Sequence, residues 1–203
     1  MTTATLNPPT AHANRVGPQP YRFTIEAYRK LGETGLFHDM KTMLIDGEVL
    51  TMPLPNPPHD TALDLTYEFL RAAFPSGHHV RNQHGFDIGT HNDPGPDLAV
   101  VTGSIRDYAN TTPTTAVMII EVADSSLFID TTTKAELYAT AGVADYWVID
   151  LENLKLHVFR DPVALPAGLG ATAYRTHLTL NPKDSIAPLA APNASIQVSD
   201  LLP

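Results

Sequence analysis

PDLAVV (96–101), AVMIIEVAD (116–124) and DTTTKAELYATAGVADYWVID (130–150) are the segments around which this chain is organised. The first two are short, aliphatic and β-branched, which suits buried strands. The thirteen residues from Gly103 to Thr115 between them make an antiparallel pairing easy. With Asp97 opposite Glu121, Ala99 faces Ile119 and Val101 faces Val117. Directly opposed residues share a face of the sheet, so this register brings two carboxylates together at one end of a hydrophobic ladder. Like charges repel at that range, and burial adds a desolvation cost. The pair therefore calls for a cation or a shared proton. On spacing alone a second reading stays open, in which Asp97 caps the start of its strand after Pro96 and Glu121 points to solvent.

The third segment begins as a helix. Asp130 or Thr131 can cap it, Thr133 and Glu136 fit a capping-box spacing, and Gly142 fits a C′ terminator. Counted from Lys134, positions i+3, i+4 and i+7 are Leu137, Tyr138 and Ala141, so the lysine shares the apolar stripe rather than the solvated face. It either snorkels along the edge of the core or aims its ammonium at the two acids.

Working outward, residues 23–33 read as a short helix with Thr24 in the capping position and an end near Gly32 or Gly35. KTMLIDGEVLTM (41–52) carries Asp46-Gly47 between β-prone flanks, a hairpin signal. Pro53, Pro55, Pro57 and Pro58 make a rigid connector. Next, HDTALDLTYEFLRAAF predicts a helix with Ala62, Leu65, Phe69 and Ala72 inward, His59 or Asp60 at its start, and an end before Pro75. HHVRNQHGFDIGT (78–90) reads as a strand with Val80, Phe86 and Ile88 as its apolar members. Two further strands, ADYWVID and KLHVFR, flank a turn to which Asp150 is assigned, with Trp147 as the large core anchor. A loop over 161–170, a strand over 173–180 and a closing arm with a final short strand complete the chain.

The 203 residues hold 43% hydrophobic and 17% charged side chains, the composition of a folded domain, with 18 prolines and 12 glycines pointing to many loops. We expect a flexible tail over 1–20 and one domain over 21–203. There is no run of about 20 apolar residues, which argues against a membrane span, and no basic start followed by an apolar segment; the expected location is cytoplasmic. The absence of cysteine removes disulfides, thiolate zinc sites and cysteine nucleophiles. A net charge of −9 argues against a protein that coats nucleic acid nonspecifically, but it permits a local basic or metal-filled cleft. His78, His79, His84 and His91 lack a metal-ligand spacing and read as loop histidines.

The order IDGE, a proline connector, His59 opening a helix, PDLAVV, IIEVAD, and then D-x3-K-x3-Y-x2-AGV-x-(D/E)-YWVID resembles the Uma2 family of the PD-(D/E)xK nuclease superfamily. The likeness runs from about Tyr21 to the C-terminus. It implies an α/β fold: a restriction-endonuclease-like mixed β-sheet flanked by helices, with additional β-hairpins. By this resemblance Asp97 is the PD acid and Glu121 the second acid. The superfamily's usual lysine would fall at Ala123, and Lys134 on the following helix takes its place, with Asp130 either orienting it or capping. Two positions depart from the pattern. Met43 stands where the family often carries an acid, which leaves Glu48 as the remaining acid of that hairpin, and Asp124-Ser125-Ser126 replaces a Ser-Pro-Ser-like loop.

The resemblance implies a metal-dependent endonuclease. Asp97 and Glu121 would bind Mg²⁺ or Mn²⁺ with help from the Val122 carbonyl, and Lys134 would position the attacking water or offset transition-state charge. His59 and Glu48 would be supporting residues. The expected substrate is nucleic acid, DNA foremost. Two alternatives stand beside it: a noncatalytic relative acting as an oligomeric or nucleic-acid interaction module, and a metal hydrolase built on the histidine-rich segment. Exposed edge strands in a small sheet would favour a homodimer.

Overall fold

A computed structural model describes residues 17–165 and 172–203. Most of the expected tail, residues 1–16, and the end of the loop at 166–171 lie outside the described residues. The centre is a six-stranded mixed sheet in the order β3-β4-β5-β6-β7-β8. Its strands are β3 (His78–Asn82), β4 (Leu98–Thr102), β5 (Met118–Ala123), β6 (Asp145–Asp150), β7 (Lys155–Ala164) and β8 (Thr172–Leu180). Only β5 and β6 run parallel; every other neighbouring pair is antiparallel.

Between β4 and β5 the register pairs Leu98 with Ile120, Ala99 with Ile119 and Val100 with Met118. Alternation then sorts the strand residues into two cores. Leu98, Val100, Met118, Ile120 and Trp147 pack under α2 (Pro57–Ala73) and the C-terminal turn Val198–Leu201. Ala99, Val101, Ile119, Tyr146 and Val148 face Tyr138 of α4 (Ala135–Thr140) on the other side. Trp147 is fully buried as expected, but Tyr138 and Tyr146 are anchors of similar weight. Parallel strands need a crossover connection. Here it consists of α3 (Leu127–Ile129), a π-helical turn Asp130–Lys134, and α4. Gly142, at φ +75°, ends α4 in a Schellman arrangement, its N–H donating to Ala139 O and the N–H of Val143 donating to Tyr138 O.

Outside this sheet, α1 (Ile25–Glu33) is capped by Thr24, whose hydroxyl accepts from the Ala27 N–H at 3.2 Å. A separate hairpin joins β1 (Lys41–Ile45) to β2 (Glu48–Met52) through Asp46 and Gly47, both at positive φ, the type I′ signature of Asp-Gly. Any side chain at Gly47 would press within 2.8 Å of Arg22 Cβ. β9 (Ser185–Ile186) and β10 (Ile196–Gln197) close the arm as a two-stranded sheet.

Several expectations need correction. α2 starts at Pro57 because prolines suit the first helical turn, where no N–H is required, and Asn56 caps it by accepting from the His59 N–H at 3.1 Å. Its buried face is Ala62, Leu63, Thr66 and Leu70, while Leu65 is exposed, so the stripe lies one position off the expected one. The strand from His78 stops at Asn82; Gln83 turns at φ +51°, and Phe86 and Ile88 reach the core from a loop. Neither Asp130 nor Thr131 caps the N-terminus of a helix, and the Thr133–Glu136 box does not form, because helix already begins at Leu127. Asp150 ends β6 as a buried residue whose carboxylate holds the turn, accepting from Asn153 N and Nδ2. β7 continues through Ala164, past the expected start of a loop at 161. Among the described residues, no helix is long and apolar enough to cross a membrane.

Candidate active site

The site forms where the Asp97 end of β4 meets Glu121 of β5. One residue beyond the Leu98–Ile120 pair of that ladder, the Asp97 N–H points at Glu121 Oε2 at 3.4 Å, and Asp97 Oδ2 accepts from the Val122 N–H at 2.9 Å. Both acids are buried, at 5% and 2% relative exposure. Neither points freely to solvent. Lys134, 4% exposed, places Nζ 3.0 Å from Glu121 Oε2 and 3.0 Å from Asp130 Oδ1. The π-helical turn carries both Asp130 and Lys134 inward, and Ser126 Oγ donates to the other Asp130 oxygen. Asp130 therefore orients the lysine. Its Oδ1 is in ion-pair range of the ammonium but outside hydrogen-bond geometry.

Three partners are residues to which the sequence reading gave no site role. Lys41 of β1 approaches Asp97 Oδ1 at 3.4 Å, and Gln83 Nε2 donates to the same oxygen at 3.3 Å. Tyr138 donates its hydroxyl to Glu121 Oε1 at 2.6 Å. The sequence signals for Tyr138 were its place beside Lys134 on the helical stripe and its position as the Tyr of the D-x3-K-x3-Y motif; Lys41 and Gln83 carried none. His59, in the first turn of α2, brings Nε2 to 3.4 Å from Asp97 Oδ2. Glu48 is not part of the site. It sits at the turn end of the hairpin, largely exposed, in an ion pair with Arg22 at 2.6 Å. Met43, in contrast, lines the cleft above the acids, as do Asp124 and Ser126. Asn56 Nδ2 donates to Asp124 Oδ2 at 2.9 Å, joining the start of α2 to the loop after β5. Of the four histidines from 78 to 91, His78 and His79 lie on β3, His84 is exposed and His91 is partly buried.

The electrostatics separate the two acids. Burial opposes ionisation of Asp97, yet His59, Lys41, Lys134 and the Val122 N–H together hold its carboxyl well below the usual carboxylate range. Burial pushes Glu121 up to about 8 against the pull of Lys134. Burial also works against the Lys134 ammonium, but Glu121, Asp130 and Asp97 outweigh it and keep the group protonated. The hydrogen bond to Asp97 raises the His59 pKa despite partial burial.

The donor chemistry fits a hard divalent cation. Two adjoining carboxylates lie at a polar cleft, and Mg²⁺ is commonly held by one or two carboxylates, with waters and substrate phosphate completing its octahedron. Among the described residues no group of three His, Asp or Glu side chains forms a ligand cage, so the protein itself would supply only part of the coordination.

Sheet order, crossover and site together define a restriction-endonuclease-like nuclease fold. A crystal structure from Anabaena variabilis ATCC 29413, of "a putative nuclease belonging to DUF820", is similar over 88% of this chain and 97% of that one, with a TM-score of 0.66 and 15% identity. The family model Uma2, described as "Putative restriction endonuclease", matches residues 25–199, and the chain belongs to that family. No curated protein matches it.

Proposed function

We propose that this protein hydrolyses phosphodiester bonds of nucleic acid, DNA foremost, using Mg²⁺ or Mn²⁺ held by Asp97 and Glu121 with the Val122 carbonyl. The reading is supported above all by Lys134 reaching Glu121 from a separate helix, which gathers two acids and an ammonium at one cleft. A bound divalent ion supplies Lewis-acid chemistry, polarising the phosphodiester and making water a better nucleophile. The chain's own residues do the rest. Asp97 stays ionised and ready to bind a cation. Lys134, pinned by Asp130, offsets negative charge as it develops on the phosphoryl oxygens. Tyr138 fixes the rotamer of Glu121 through its short hydrogen bond. His59 and Lys41 add positive charge beside Asp97.

The test is a cleavage assay over DNA and RNA, single- and double-stranded, with Mg²⁺ or Mn²⁺, comparing wild type with Asp97→Ala and Lys134→Ala. Calorimetric titration of the metal runs alongside it. Cleavage that requires metal and disappears in both variants supports the reading. Metal binding unaffected by Asp97→Ala, or equal cleavage by Lys134→Ala, overturns it.

A further inference from the structure

Six of the basic side chains among the described residues sit in ion pairs: Arg22, Arg29, Lys30, Lys41, Lys134 and Arg160. Of the six described Lys and Arg side chains without an ion pair, Arg71 and Arg106 lie beside the edge strand β3 and Arg81 on it, while Lys155, Arg175 and Lys183 lie elsewhere. Such clustering is unexpected in a chain of net charge −9 unless an anion is to be met there. Arg71, from the last turn of α2, and Arg106, from the 3₁₀ turn Ile105–Tyr108, line one shallow depression together with His78, His79 and Ser104. Its floor is set by Gly77 and Gly103, joined by a 2.9 Å backbone hydrogen bond. The nearby acid, Asp107, spends its carboxylate on Ser104, accepting from the backbone N–H at 2.7 Å and from the hydroxyl at 3.0 Å. The two arginines are exposed and keep all their donors available.

Arg81 extends this surface toward the cleft. It pairs with Ala99, two residues along β4 from Asp97, and its guanidinium rests over the Tyr108 ring at 5.2 Å, which fixes its direction. One step further on, Gln83 touches Asp97 itself. His78 pairs with Thr102 at the far end of the ladder. Five residues of strand separate Thr102 from Asp97, about 17 Å at the usual rise. Measured along the axis of a duplex, that distance spans about five phosphates of each strand.

We propose that the depression between Arg71 and Arg106 grips a backbone phosphate of the nucleic-acid substrate, with Arg81 as a second contact between it and the cleft. The proposal rests on the nuclease reading above. It adds a binding surface outside the catalytic residues, one that recognises phosphate and no particular base.

The test is binding of a fluorescent oligonucleotide duplex to the full chain in chelator, so that no cleavage occurs, across a salt series. The proteins compared are wild type, Arg71→Gln/Arg106→Gln, and Arg175→Gln. The last removes a charge with no ion pair among the described residues from the opposite edge strand, β8. The double variant is expected to bind about tenfold more weakly near 0.1 M salt, with a log–log salt slope shallower by roughly one to two contacts. Arg175→Gln is expected to match wild type. Equal affinity and slope in the double variant overturn the proposal and leave the nuclease reading standing, as does an equal loss in Arg175→Gln, which would trace the effect to net charge. Failure of the wild type to bind any nucleic acid overturns both.

Discussion

Two buried clusters of charge sit at different ends of this sheet, and they are built differently. Asp145, at the start of β6, is fully buried and completely satisfied: it accepts from Trp147 Nε1 at 2.8 Å, Arg160 Nε at 2.8 Å and the Leu189 N–H at 2.8 Å. Arg160 in turn donates to Ala187 O, tying the closing arm to the sheet. The Asp97 cluster holds three buried acids, Asp97, Glu121 and Asp130, around one buried lysine. Its contacts to His59 and Lys41 stretch to 3.4 Å, and His59 Nδ1 has no hydrogen-bond partner. A structural ion pair closes all its hydrogen bonds because an unmade one is costly in the interior. The Asp97 cluster leaves long contacts and an unpaired nitrogen beside an open cleft, which is what the proposed binding of a cation and a phosphate would require.

Substitutions should separate the two clusters. The largest effect on stability is expected for Asp145→Ala, which strands Arg160 and the Leu189 N–H: a loss of about 3–5 kcal/mol in chemical denaturation, with activity per folded molecule retained. Lys134→Ala should do the reverse, lowering kcat by roughly 10²–10³-fold in single-turnover cleavage while the midpoint of unfolding moves far less than in Asp145→Ala. If the two variants lose stability equally, the contrast between the clusters is gone. Tyr138→Phe removes one donor to Glu121 and should weaken metal binding about tenfold by calorimetry, the scale expected when a partner that orients a ligand is lost. An unchanged affinity would mean that Glu121 needs no such support.

The smallest expected effect lies away from both clusters. His177 stacks on Phe159 at 4.2 Å, and burial, followed by the neighbouring His157, lowers its pKa. The unfolded chain therefore takes up the proton first as pH falls through about 6.5, so stability declines below that pH and is fully present above it. His177→Gln should flatten the decline between pH 7 and 5 in thermal melts. A slope identical to wild type would show that the stacked ring titrates as freely as an unfolded one.

What could be read in advance was mostly local. The Asp-Gly turn, the Thr24 cap and the Gly142 terminator depend on the backbone preferences of a few adjacent residues, and they stand where those preferences put them. The register of β4 on β5 was legible because short aliphatic strands with one acid apiece leave few pairings that keep both faces apolar. The Lys134 stripe held even though the expected capping did not, since a π turn changes where a helix starts more than which residues face inward. The long strand from His78 failed because Gln83 leaves the β region at φ +51°, even though its N–H still donates to Asp97 O as the next rung of the ladder. Glu48 was drawn into the site by elimination, and a hairpin that stands apart from the main sheet carried it to the surface.

By itself the sequence determined the strand–strand–helix–strand core and made the approach of Asp97, Glu121 and Lys134 one of two open readings, because all three lie within one contiguous segment whose periodicities are 2 and 3.6. Only the tertiary structure decided what surrounds them. Lys41 and His59 reach Asp97 across 56 and 38 residues of chain, Asn56 meets Asp124 across 68, and Arg71 and Arg106 approach β3, which carries Arg81, from two separate elements. No local pattern encodes such meetings. They follow from how the hairpin and α2 pack against the sheet, and that packing is set by the shape and burial of the whole core.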